Sequence, residues 1–166
     1  MLLDAMKLAI DFVKRKERVN REFFDDYIEP LFSEFEKTAT KYMKLFEADN
    51  VSEMKAIRSD YLQARIKVSE LTRLYREEFP DELPTKFFEA MYGFFFSKER
   101  LSTFGEDYID AVSRLNPETP ERERLKESMV RKQRESWQEA VRCYGEMKLK
   151  YKRPISIKPN NRGGRS

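Results

Sequence analysis

NVSEMKAIRSDYLQARIKVSELTRLYREEFP, residues 50–80, is the stretch whose reading decides the fold. Ile57, Tyr61, Ala64, Val68, Leu71 and Tyr75 recur at alternating three- and four-residue spacing. That spacing gathers them on one stripe of an α-helix, whereas on a strand it would scatter them over both faces. Asn50 followed three residues later by Glu53 forms a capping box that starts the helix. Phe79-Pro80 ends it, because proline has no amide donor and restricts the residue before it.

Upstream, Phe24, Ile28, Leu31, Phe35, Thr38, Tyr42 and Leu45 repeat the pattern. Only a few residues separate this seam from the first, so the two predict an antiparallel hairpin zipped by coiled-coil-like packing. Earlier still, Leu3, Met6, Ile10 and Val13 form a third stripe, which lapses across Lys14-Arg15-Lys16-Glu17-Arg18. One rod from residue 2 to 48 would be about 70 Å long, too long for a compact domain of this size. A break is therefore expected between Arg18 and Arg21, with a bend at Pro30 as the second candidate.

Downstream, Asp81 is placed to cap a helix with Pro84 in its first turn, and this helix carries the densest aromatic run in the chain. The pattern weakens from Ser97 to Leu101, and Thr103 with Glu106 then starts a short helix bearing Phe104, Tyr108, Val112 and Leu115. Asn116-Pro117-Glu118-Thr119-Pro120 breaks the chain. Thr119 as cap and Pro120 at the first helical position begin a last helix reaching about Tyr151, with Val130, Gln133, Trp137, Ala140, Tyr144, Met147 and Tyr151 turned inward. Its charged half before Trp137 is expected to project beyond the core.

These elements predict an all-α bundle of four to six helices, more than about 60% helical, built on long antiparallel coiled-coil-like hairpins. Residues 1–152 form one domain, in which residues 1–19 are an amphipathic helix able to dock separately, and 153–166 form a flexible basic tail. A chain of 166 residues with 40% hydrophobic content has the size of a single domain with a real core, and 13 Phe and 8 Tyr require burial. Asp4, Lys7 and Asp11 interrupt the apolar start, so neither a signal peptide nor a membrane span is expected. The lone Cys143 permits no internal disulfide and suits a reducing cytoplasm, as a small buried helix residue.

Chemistry is limited by what is missing. The chain has no histidine, which removes the commonest general base and every Ser-His or Cys-His nucleophile pair. The five glycines lack phosphate-loop or dinucleotide spacing, and no cofactor is implied. Glu22, Asp25, Asp26 and Glu29 share one helix face and are the weak candidates for a carboxylate-held metal; a solvated acidic stripe partly neutralised by Arg18 and Arg21 is the simpler reading.

Two surfaces carry more. Around Met91, the rings of Phe87, Phe88, Tyr92, Phe94, Phe95 and Phe96 cover an arc of roughly 200°, wider than the stripe with which a surface helix meets its core. The helix is either enclosed by its own bundle or offers Phe87, Phe88, Tyr92, Phe95 and Phe96 to a partner or a second copy; a lipid or small-molecule cavity is the third reading. From Met147 onward, Lys148, Lys150, Lys152, Arg153, Lys158, Arg162 and Arg165 are seven cations without an acid. Removing them from 33 basic residues leaves 26 against 30 acids, a net of −4 for the body. Such an arm either folds back on an acidic face, the Glu22–Glu29 stripe being one choice, or reaches a polyanion.

The leading functional expectation is a non-catalytic interaction protein: an adaptor, regulator or accessory subunit with a protein partner or homo-oligomeric contact. The alternative is an accessory nucleic-acid-binding protein using the tail and Arg131-Lys132-Gln133-Arg134, and the third is an enzyme with a carboxylate-bound metal. Peripheral membrane contact is disfavoured, because Asp4 and Asp11 oppose anionic lipid.

Overall fold

The computed structural model describes residues 1–15, 21–80, 82–96, 109, 112, 114–116 and 118–152. Of these, 89% are helical, and none is in a strand. The break expected after Arg18, the Asp81 cap, the segment with the Thr103–Glu106 pair and the arm from Arg153 onward fall outside the described residues. No helix among the described residues is long and apolar enough to cross a membrane.

Helix α1 (Leu2–Lys14) is followed by α2 (Arg21–Phe23), a π-helical turn (Phe24–Ile28) and α3 (Glu29–Glu47), the last three forming one continuous run. The run is not broken at Pro30. Instead, the turn before it is widened, with the Glu29 amide donating to the Phe24 carbonyl. Pro30 cannot donate to the Asp26 carbonyl and would crowd it in a regular helix, and a wide turn immediately upstream accommodates that defect. Helices α4 (Val51–Glu78), α5 (Leu83–Phe95) and α6 (Pro120–Tyr151) complete the described elements. The capping box is formed, with the Glu53 amide donating to Asn50 Oδ1 at 3.1 Å. Helix α5 has Glu82 at its N-cap position, without a side-chain capping hydrogen bond.

Helices α3 and α4 run antiparallel from their turn, but their seam is not a continuous zipper. Tyr42 and Phe46 meet Tyr61 near the turn, and Phe23 meets Tyr75 at the far end. Between these points α1 and α5 are inserted: α1 packs on α3 and α4, and α5 packs on α4 and α6. The reason is volume, because rings this large keep two helices from closing on each other and the space between them must be filled by other helices.

Helix α5 is the centre. Phe87, Phe88, Met91, Phe94 and Phe95 are all buried. Phe35 of α3 meets both Phe94 and Phe95, Tyr75 of α4 lies 4.4 Å from Phe88, and Phe32 of α3 contacts Phe87. Backbone carbonyls of α5 are also used: Tyr61 donates to Phe95 O at 2.9 Å, and the Thr72 hydroxyl lies 3.2 Å from Phe88 O. Where α5 crosses α6 the approach is close, since a Cβ on Gly93 would stand 2.9 Å from Ser136 Oγ.

The charged first half of α6 does not project freely. Arg122, Met129, Val130 and Gln133 are buried. The Arg122 side chain, 6% exposed, places Nη2 2.9 Å from Asp49 Oδ1, and Arg134 reaches Glu47 at 2.9 Å. Asp49 sits at φ 54°, a left-handed conformation more natural to glycine. Its carboxylate is what glycine could not supply to Arg122.

The burial of Gln133 on α6 is costly, because it is fully enclosed and neither amide atom has a hydrogen-bond partner. Gln133→Met conserves the length of the side chain and removes both unsatisfied atoms, so it should stabilise the protein by about 1 to 3 kcal/mol. Chemical denaturation would read this as a higher midpoint at unchanged slope; a lower midpoint would mean that the amide has a native partner.

Candidate functional site

The five aromatic residues read as a partner surface divide in two. Phe87, Phe88 and Phe95 belong to the core, whereas Tyr92 is 37% exposed and Phe96 half-buried. Those two rings stack at 4.3 Å with an interplanar angle of 13°. Arg65 of α4 adds a third planar group, its guanidinium carbon 4.3 Å from the Phe96 centroid. Three turns along α4, Arg76 also faces α5, but there it meets a carboxylate, Glu89, at 3.1 Å. Among the described residues Arg65 has no ion pair, and its Nε is buried without a hydrogen bond. Ile66, beside it, is 66% exposed. Arg65 was not marked by sequence reasoning; the signal available was that α5 offers Glu89 to one arginine and, a heptad later, Phe96 to the other.

The acidic stripe lies at the opposite end of α4, on the π-turn. Glu22 and Asp26 are exposed, while Asp25 and Glu29 are half-buried and converge on Lys152. Lys152 Nζ lies 2.6 Å from Glu29 Oε1 and 3.3 Å from Asp25 Oδ1. Arg21 stands 3.9 Å from Asp25, and the Tyr144 hydroxyl donates to Glu29 at 3.4 Å. Phe24 stacks against Tyr144 and Tyr151 beneath this cluster, and the Lys152 ammonium is 5.7 Å from its ring. Glu29, accepting from the ammonium, raises the Lys152 pKa, and the Asp25 carboxylate adds to the effect. A lysine ammonium thus occupies the space between the two carboxylates that a metal would need. Among the described residues no group of three or more histidine, cysteine or acidic side chains is arranged to hold a metal ion.

Of the arm, Lys148 and Lys150 are exposed on the last turn of α6, and Arg153, Lys158, Arg162 and Arg165 lie outside the described residues. The second basic stretch is not a continuous cationic face. Gln133 is buried, Lys132 half-buried, and Arg134 is paired with Glu47.

Potential nucleophiles are held in their neutral forms. Burial pushes the Cys143 thiol up to about 11, Glu139 beside it adding to the effect. Burial, with Asp60 contributing, carries Tyr42 to about 12, and Tyr75, enclosed by rings, is raised further still. Neighbouring Arg142 is neutralised by Glu139 and Glu146. Neither the thiol nor these phenols is prepared for attack at neutral pH.

The chain matches no family model, no curated protein and no solved structure.

These raised values set the pH response. The unfolded chain releases the Cys143 and Tyr42 protons near their ordinary 9.0 and 10.0, while the native protein keeps them to about 11 and 12. The native state then binds more protons, so stability is complete below about pH 8.5 and is lost as pH rises through 9 to 12. No histidine side chain titrates near neutrality. Thermal melts should therefore hold steady from about pH 6.5 to 8 and fall steadily above about pH 9; a midpoint unchanged at pH 11 would contradict the burial of these groups.

Proposed function

We propose that the chain is a non-catalytic helical interaction protein, an adaptor, regulator or accessory subunit, that meets a protein partner at the α4–α5 seam. The observation that carries this reading is the stack of Arg65, Phe96 and Tyr92. The rest of the aromatic run is buried, yet here two rings and an arginine that meets no carboxylate among the described residues stay within reach of solvent. Tyrosine and arginine are the side chains, with tryptophan, that most often dominate binding energy at interfaces. A guanidinium already aligned on a ring loses little freedom when it meets a carboxylate or carbonyl. A thiol and phenols held neutral favour binding over nucleophilic catalysis, and the cytoplasm is the compartment we assign to a chain with one buried cysteine.

Tyr92→Ser with Phe96→Ser tests the reading, because both side chains reach the surface and their loss should leave the helical circular dichroism signal intact. A photoreactive residue at position 92 of the full chain should cross-link to one discrete protein in its native host. Light scattering then separates a foreign partner from a second copy. The double substitution should weaken the complex at least about tenfold, or roughly 1.4 kcal/mol. Undiminished capture by the double variant would remove this surface from the function.

A further inference from the structure

We propose that the basic C-terminal arm is a nucleic-acid-binding segment whose root is held by the acidic face of the π-turn, so that phosphates and the carboxylates of Asp25 and Glu29 compete for it. The geometry at Lys152 carries the inference. This residue caps the C-terminal end of α6 and is the third of the seven cations. Its ammonium bridges Glu29 and Asp25 at 2.6 and 3.3 Å, with all three side chains about one-third exposed. The contact is thus partly shielded from solvent yet open to exchange. Two neighbours position the carboxylates for it: Arg21 stands beside Asp25, and Tyr144 donates to Glu29.

The chemistry of the competitor follows from the arm's composition. Seven cations and no acid within twenty residues suit a partner of high negative charge density such as a phosphodiester backbone. Pro154, Pro159, Gly163 and Gly164 make the arm poor material for the amphipathic helix by which a chain lies in a lipid interface. A body of net −4 repels phosphates, and the acidic π-turn concentrates that repulsion at the root of the arm. Binding through the whole arm therefore requires Lys152 to leave Asp25 and Glu29. A polyanion of low charge density would engage only the cations beyond it. Base sequence should matter little, since a Lys and Arg arm of this kind contacts phosphates and does not read base edges.

The test is a salt titration of the full chain against a 20-base-pair DNA duplex and a single-stranded RNA, with vesicles containing phosphatidylserine as the lipid arm. The unaltered protein should bind nucleic acid at low salt, with a slope of log affinity against log salt approaching roughly −6 if all seven cations engage. Asp25→Asn with Glu29→Gln should bind about three- to tenfold more tightly at about 50 mM salt, the range expected when two partly exposed ion pairs no longer compete. That gain should shrink as salt rises. Glu53→Gln with Asp60→Asn removes the same charge at the far end of α4 and should give a clearly smaller gain. Glu29→Gln alone should move in the same direction, which keeps the test available if the double variant loses helical content. A chain ending at Lys152 should lose most of its affinity. Equal affinity of variant and unaltered protein, an equal gain in the Glu53 and Asp60 control, or no nucleic-acid binding by any form would overturn the proposal. Binding to vesicles but not to nucleic acid would overturn the partner assigned.

Discussion

The enclosure of α5 is the constraint on which the other contacts depend. A helix bearing large rings over more than half of its circumference cannot lie on a surface, because water would meet aromatic area on at least one side whichever way it turned. Helices α3, α4 and α6 all contribute to its enclosure. Each full ring burial is worth about 1.5 to 3 kcal/mol. That driving force outweighs the few tenths of a kcal/mol available from surface charge pairs, and so decides the helix arrangement. The close crossing at Gly93 and Ser136 follows from it, since α6 must come near enough to cover what α4 leaves open. The separation of α3 from α4 follows as well.

Charge has a different task. Among the described residues, ion pairs within one helix are largely exposed, as at Arg73 with Glu77, and such pairs contribute little to stability. The informative ones join distant parts of the chain. Arg122 ties the first turn of α6 to the α3–α4 turn, and Lys152 ties its C-terminal cap to the π-turn. The long helix is thus held at both ends by charge and along its middle by rings. The buried end is the more demanding of the two, because a guanidinium taken out of water with one partner removed is strongly destabilising. The exposed end, with all three of its side chains about one-third exposed, exchanges more readily.

What could be read in the sequence was whatever depends on neighbours along the chain. Three-four periodicity located α1, α3, α4 and α6, Asn50 with Glu53 located a helix start, and Thr119-Pro120 located another. The width of the aromatic arc on α5 was legible, and enclosure was among the readings it allowed. Which of its rings remain outside was not, because Tyr92 and Phe96 differ from Phe88 and Phe95 only in what faces them. Periodicity names the buried face of a helix but not the helix that covers it, so the insertion of α1 between α3 and α4 was invisible. Arg122 counted as one more charge on a charged segment, and its partner Asp49 lies 73 positions away. The π-turn was marked only as a possible bend at Pro30, since a widened turn leaves no signature in residue type.

The position of α1 sets an order of events during synthesis. It leaves the ribosome before α3 and α4, yet its apolar face is covered by them. Its docking site does not exist until α4 has emerged, some sixty residues later. Helix α5 follows and exposes its rings until α6 arrives, and α6 ends only at Tyr151. At the usual several residues per second, nascent chains would carry uncovered aromatic surface for many seconds. Completion of the core therefore waits on α6, whatever α1, α3 and α4 have already assembled.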